Sequence, residues 1–179
     1  MGSIKMSTSR FIQPVTGSDL GSLSVFTVSC WFNLPTLPTT AGAAAVVTNA
    51  YTGTPNVLNF SIGLNNSPTT ANICAGFFDG AWRNTAGFAP ATNTWYNVVG
   101  TYDGFTIVQY VNGGTNTSSS YAGTPSTSGA GLRIGRRWDT GAGVDHINGQ
   151  IPIVQIYNRA LSANEVLQNY NAQKSRFGL

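Results

Sequence analysis

The chain has 179 residues, 41% of them apolar and only 8% charged, with a formal net charge of +3 that comes from scarce acids more than abundant bases. That length can bury a sizeable core in one domain, and the apolar content, with aromatics spread throughout, excludes a disordered chain. So weak a charge balance argues against a nucleic-acid binder; no run approaches the roughly 18 apolar residues of a membrane span, and the N-terminus lacks the apolar stretch of a signal peptide.

Residues 1–21 form an N-terminal arm with a short strand-like stretch near Ser3 to Ile12. In the next segment Phe26, Val28, Cys30 and Phe32 alternate with Thr27, Ser29 and Trp31, which predicts a strand with one apolar face that Pro35 and Pro38 bring to an end. Ala44–Asn49, Val57–Leu64 and Asn72–Phe78 are further strands, separated by turns of Gly, Pro, Asn and Thr. Trp95–Tyr102 and Phe105–Val111 flank Asp103-Gly104, a strong hairpin signal. The Ser- and Thr-rich stretch from Gly113 to Gly131 is predicted to be a long surface excursion, with strand character resuming at Leu132. Arg133, Arg136 and Arg137 form the only basic cluster; alternation splits it across two faces, and a solvated strand edge is its expected place. Ile147–Tyr157 supplies the closing strand. Ser162 and Glu165 then make a capping box, with Leu161 and Val166 as its hydrophobic staple, so a helix is predicted over 163–171 with 172–179 leaving as a tail. Cys30 and Cys74 lie in apolar runs and are expected to be reduced, buried thiols.

Four blocks in the last part of the chain carry a resemblance. Trp95-Tyr96-Asn97-Val98-Val99-Gly100-Thr101-Tyr102-Asp103-Gly104 is followed in order by Tyr110-Val111-Asn112-Gly113, by Ile134-Gly135, and by Ile156-Tyr157-Asn158-Arg159-Ala160-Leu161-Ser162 with Glu165. This succession resembles the concanavalin A-like, laminin-G-like domains over roughly residues 22–171. The resemblance implies an all-β fold: a two-sheet antiparallel jelly-roll sandwich with one short C-terminal helix. It also makes Trp95 a structural tryptophan of the sandwich.

Within that fold, an enzyme would need paired carboxylates on one strand, held about 5 to 5.5 Å apart in a retaining glycosidase. No alternating carboxylates occur: Glu165 is accounted for by the capping box, and Asp103-Gly104 is turn chemistry. His146, the single histidine, has no Ser- or Cys-centred motif around it, and with two distant cysteines it makes no zinc spacing. The expectation is therefore a non-catalytic protein. Domains of this kind often hold calcium at the rim of the sandwich, and the donors available are Asp79, Asp139 and Asp145; the competing reading of Asp79-Gly80 is an ordinary turn. For glycan binding, Trp82 with Arg83 and Asn84, and Trp138 with Asp139, pair an aromatic platform with hydrogen-bonding groups; packing at the sandwich rim is the competing account.

The terminal stretch from Ile156 to Leu179 resembles the endings of lectin-like virion proteins of tailed bacteriophages. That resemblance implies an accessory virion protein, a capsid decoration or cement protein or a tail-associated one. Its partners would be other virion proteins, further copies of the chain and a host glycan, and its place the extracellular particle. The alternative is a carbohydrate-binding module that recognises a cell-surface glycan.

Overall fold

The computed structural model describes residues 5–6, 23–37, 45–50, 58–64, 72–126, 131–136 and 147–179. These carry β1 (Lys5–Met6), β2 (Phe26–Asn33), β3 (Ala45–Ala50), β4 (Leu58–Leu64), β5 (Ile73–Phe78), β6 (Trp82–Asn84), β7 (Trp95–Tyr102), β8 (Thr106–Val111), β9 (Gly114–Ser120), β10 (Gly131–Ile134), β11 (Gly149–Tyr157), α1 (Ala163–Gln173) and a 3-10 turn at Lys174–Phe177. The strands make two sheets, a six-stranded one in the order β1-β11-β2-β7-β8-β9 and a five-stranded one in the order β10-β3-β4-β5-β6. Every ladder is antiparallel, so the sandwich expected from the alternation is the one found.

The alternation in β2 decides which side chains enter the core. Phe26, Val28, Cys30 and Phe32 face the second sheet and meet Phe60, Ile62, Ile73 and Phe77 from it. Burying each such aromatic or branched side chain contributes about 1.5–3 kcal/mol, so this inner layer is the main source of stability. The sheets approach closely at Gly100, where an added Cβ would stand 2.6 Å from the Ala75 Cβ. Beside it Gln109, wholly buried, ties the sheets together. Its Oε1 accepts from the Ala75 N–H (2.8 Å) and the Thr85 hydroxyl (2.6 Å), and its Nε2 donates to the Ile73 carbonyl (3.1 Å). Alternation puts Gln109 on the same face as Ile107 and Val111, and the amide is tolerated there because both its oxygen and its nitrogen find partners.

The outer face of the six-stranded sheet is covered by the C-terminal segment. Leu161 and Val166 pack on Val99 and Tyr110, and Thr27 fixes the entry to the helix, its hydroxyl donating to the Arg159 carbonyl and accepting from the Leu161 N–H, both at 2.8 Å. The capping box forms as the sequence predicts: Ser162 Oγ accepts from the Glu165 N–H at 3.4 Å and Glu165 Oε2 accepts from the Ser162 N–H at 2.9 Å. Arg159 adds an ion pair to Glu165 at 2.7 Å.

These contacts, that of Arg159 foremost, lower the Glu165 carboxyl from 4.5 to about 2. A carboxylate lowered on folding gives stability that is complete above its unfolded value and lost as pH falls through its folded one. We therefore expect the melting temperature of the wild type to fall more steeply between about pH 4.5 and 2 than that of Glu165→Gln. Thermal melts across that range read the difference, and parallel curves would contradict it.

Several expectations are corrected. The excursion predicted from Gly113 contains a strand: Asn112 (φ 51°) and Gly113 (φ 81°) form a type I′ turn that leads straight into β9 on the edge of the sheet. β9 has the sequence GTNTSSS and is largely exposed, so it lacks the apolar alternation by which strands are recognised. Arg133 and Arg136, expected on a solvated edge, are 1% and 9% exposed; Arg133 does lie on an edge strand, β10, which pairs with β3, but its side chain is buried there rather than solvated. Arg137 lies outside the described residues. The helix runs two residues beyond 171, and the chain after it does not leave as a tail: the 3-10 turn closes on Gly178 at φ 75° and brings Phe177 onto Trp31.

Cys30 and Cys74 are both buried, and neither is in a disulfide. Cys30 faces the core, whereas Cys74 takes the alternate position in β5, its thiol donating to the Gly63 carbonyl at 3.4 Å. Burial pushes the Cys30 thiol far up. Neither should react with a colorimetric disulfide reagent in the native protein, and both should react in denaturant; fast native labelling would contradict the burial.

Candidate functional site

β6 is the edge strand of the five-stranded sheet, and it presents the tryptophan-centred triplet on two sides. Its partners across β5 are Phe78 for Trp82, Phe77 for Arg83 and Gly76 for Asn84. Phe77 belongs to the core, so Trp82 and Asn84 stand on the outer face and Arg83 on the other. On the outer face Trp82 meets Phe78 edge-on, with centroids 5.3 Å apart and planes at 69°. Asn84 lies across Gly76: a Cβ on that glycine would come within 1.9 Å of Asn84 Oδ1. A glycine inside a strand often marks such a close approach. The register continues from Gly76 to Ser61 and from Ser61 to Thr48, which places a polar row beside the aromatic pair.

Arg83 is held away from that corner. Its Nε donates to both oxygens of Asp79, at 2.9 and 3.1 Å, and its guanidinium lies 5.4 Å from the centre of the Tyr121 ring. Tyr121 in turn donates to the Asn84 carbonyl at 3.2 Å, which fixes the strand carrying Asn84. The predicted glycan-binding group is therefore divided, with Trp82 and Asn84 together and Arg83 serving as a brace behind them.

Asp79 also accepts from the Ala81 N–H at 3.2 Å, and its side chain is only 8% exposed. With an arginine against both oxygens, this carboxylate does not fit a calcium ion, which needs several free oxygen donors. Trp138, Asp139, Asp145 and His146 lie outside the described residues. Among the described residues no three His, Cys, Asp or Glu side chains gather as a metal site. Asp103 caps its own turn, its Oδ1 accepting from the N–H groups of Phe105 (2.8 Å) and Thr106 (2.7 Å), while Gly104 adopts φ 100°. The described acids, Asp79, Asp103 and Glu165, are thus each engaged in turns, caps or ion pairs, and none faces another across a strand.

Trp95 and Trp31, the other described tryptophans, sit on the outer face of the six-stranded sheet. Trp31 is fully buried there, stacked 4.1 Å from Phe177 and 5.7 Å from Tyr170, with its Nε1 donating to Gln173 at 2.6 Å. Trp95 is half-buried beside Phe177 at 4.8 Å. Both serve packing, but against the C-terminal segment rather than between the sheets. No helix among the described residues is long and apolar enough to cross a membrane.

No curated protein matches the chain in sequence. Solved structures share its fold. Domain 4 of AbnA, an extracellular arabinanase from Geobacillus stearothermophilus in complex with arabinotriose, is similar with a TM-score of 0.72 and 20% identity, over 93% of this chain and 75% of that one. The CBM40 domain of the Ruminococcus gnavus IT-sialidase, bound to α2,3 sialyllactose, is similar with a TM-score of 0.71 and 12% identity, over 95% and 97%. A putative carbohydrate-binding protein from Bacteroides ovatus gives 0.67 and 20%, over 93% of this chain and 46% of that one. At such identities these likenesses speak for the fold. The family model of the concanavalin A-like lectin/glucanases matches residues 9–167, and together with the antiparallel sandwich it establishes that the chain belongs to the concanavalin A-like lectin/glucanase superfamily.

Proposed function

We propose that the domain is a non-catalytic carbohydrate-binding module, and that sugar is held on the outer corner of the five-stranded sheet by Trp82, with Asn84 and Ser61 beside it. The observation that carries this reading is the side-by-side placement of an aromatic pair and a polar row on one edge of the sheet. Sugars have an apolar face that an indole can cover and hydroxyls that amides and hydroxyl groups can bind, so both parts of the ligand find a counterpart. The similarity to carbohydrate-binding domains supports the same reading. A hydrolase is disfavoured because each described acid has a structural partner. A domain with this role works where glycans are displayed, outside the cell or on a particle.

The virion reading rests on the resemblance of the terminal stretch. That stretch is engaged in the domain's own packing through Leu161, Val166, Tyr170 and Phe177, so it does not extend as a docking arm. A module displayed on a virion remains compatible with sugar binding, whereas a purely structural cement protein would bind none.

A glycan-array screen of the purified protein, with calcium and with chelator, tests the proposal. We expect defined hits that survive the chelator, since Asp79 is paired to Arg83 and the corner needs no metal. A blank array would count against the module; hits lost on chelation would move the site to the acids Asp139 and Asp145.

A further inference from the structure

We infer, resting on the carbohydrate-binding reading, that the corner takes a single neutral sugar residue at the end of a glycan rather than a run of polymer or an acidic sugar. The outer face of the five-stranded sheet is not an open platform. Thr48, Ala45 and Cys74 on that face are buried at 0%, 1% and 5% exposure, and Arg133, in register with Thr48, is buried at 1%. Among the described side chains of that face, accessible surface lies at the β4–β6 corner, where Ser61, Phe78, Trp82 and Asn84 are half-buried. Three adjacent strands span two interstrand spacings, about 10 Å in all. That is room for one ring on Trp82 and its hydroxyls on the polar row, with the next unit already beyond the edge strand. A polymer threaded across the sheet would have to pass over Thr48 and Arg133, where the face is closed.

The charge of the ligand follows from Asp79 and Arg83. Among the described residues they are the charged side chains next to the corner, and they neutralise one another behind β6, with Nε against both carboxylate oxygens and the guanidinium 5.4 Å from the centre of the Tyr121 ring. The outer side of the corner offers an indole, a phenyl ring, an amide and a hydroxyl, none of them ionic. A carboxylated or sulfated sugar would lose hydration there without an ion pair in return.

The experiment is a competition assay on the array-positive oligosaccharide. The competitors are the free neutral monosaccharide of its terminal unit, longer internal fragments of the same glycan, and lactose against α2,3-sialyllactose, all titrated at low and high NaCl. The expected result is competition by the terminal monosaccharide within about tenfold of the whole oligosaccharide, no gain from internal fragments, no preference for sialyllactose over lactose, and no change with salt. Affinity that climbs about a hundredfold with internal chain length would overturn the end-on inference. Salt-sensitive preference for the sialylated or another acidic glycan would overturn the neutral one. In both of these cases carbohydrate binding itself stands; only an array without hits removes the reading underneath.

Discussion

Trp31→Ala is expected to destabilise the domain more than any other change considered. The indole is fully buried, stacked against Tyr170 and Phe177, and its N–H is bonded to Gln173. Truncating a buried Trp costs about 3–5 kcal/mol, and here the loss also leaves Gln173 without that donor and Phe177 without its stacking partner. Against a total stability of about 5–15 kcal/mol, that should lower the melting temperature by about 10 °C or more. The 3-10 turn would detach first, because its aromatic residue, Phe177, packs on Trp31 and Trp95. Thermal melts combined with proteolysis near Lys174 and Arg176 would show this, and a variant with unchanged melting and protection would contradict it.

Trp82→Ala should behave in the opposite way. Trp82 is half-buried on an edge strand and its ring contact is with Phe78, so we expect a loss of stability of about 1 kcal/mol or less. Its effect on sugar binding should be large. An aromatic anchor at the centre of a small site typically accounts for about 2 kcal/mol or more, which corresponds to about a 30-fold weaker Kd. Trp82→Phe should recover part of that affinity by restoring a smaller apolar face. Titration calorimetry of the three proteins with an array-positive oligosaccharide, beside their melting curves, separates the outcomes. Equal affinity in Trp82→Ala would remove this residue from the site.

The sandwich was legible in the sequence wherever a strand has one apolar face. Phe26 through Phe32 show a clean period of two, and β7 and β8 flank an Asp-Gly turn, so their limits fall within a residue of those predicted. The start of α1 at Ala163 was readable because a capping box fixes position as well as type. What escaped did so for physical reasons. β9 is an exposed edge of Ser, Thr and Asn, and its pairing depends on the Asn112-Gly113 turn before it rather than on its own pattern. β6 has three residues, too few for a period to appear. The 3-10 turn is held by Phe177 on Trp31, a contact across the length of the chain, although Gly178 just beyond Phe177 is a usual helix-end signal.

The candidate site was legible in part. Trp82 and Asn84 are where a sugar-binding pair would be sought, but the three consecutive residues Trp82, Arg83 and Asn84 fall on alternating sides of a strand, so Arg83 is turned to Asp79. Local sequence could not show that Ser61 joins them, because its place follows from the register of β4 on β5. Nor could it show that Gly76 is the floor beneath Asn84.

The most direct measurement follows the tryptophan indole N–H signals in a nitrogen-15 NMR titration with the array-positive oligosaccharide, using Trp82→Phe to assign one of them. The account predicts that the Trp82 indole signal shifts on saturation, while that of Trp31, buried and bonded to Gln173, stays in place. Movement of the Trp31 or Trp95 signals with Trp82 unmoved would put the sugar on the opposite sheet and contradict the site.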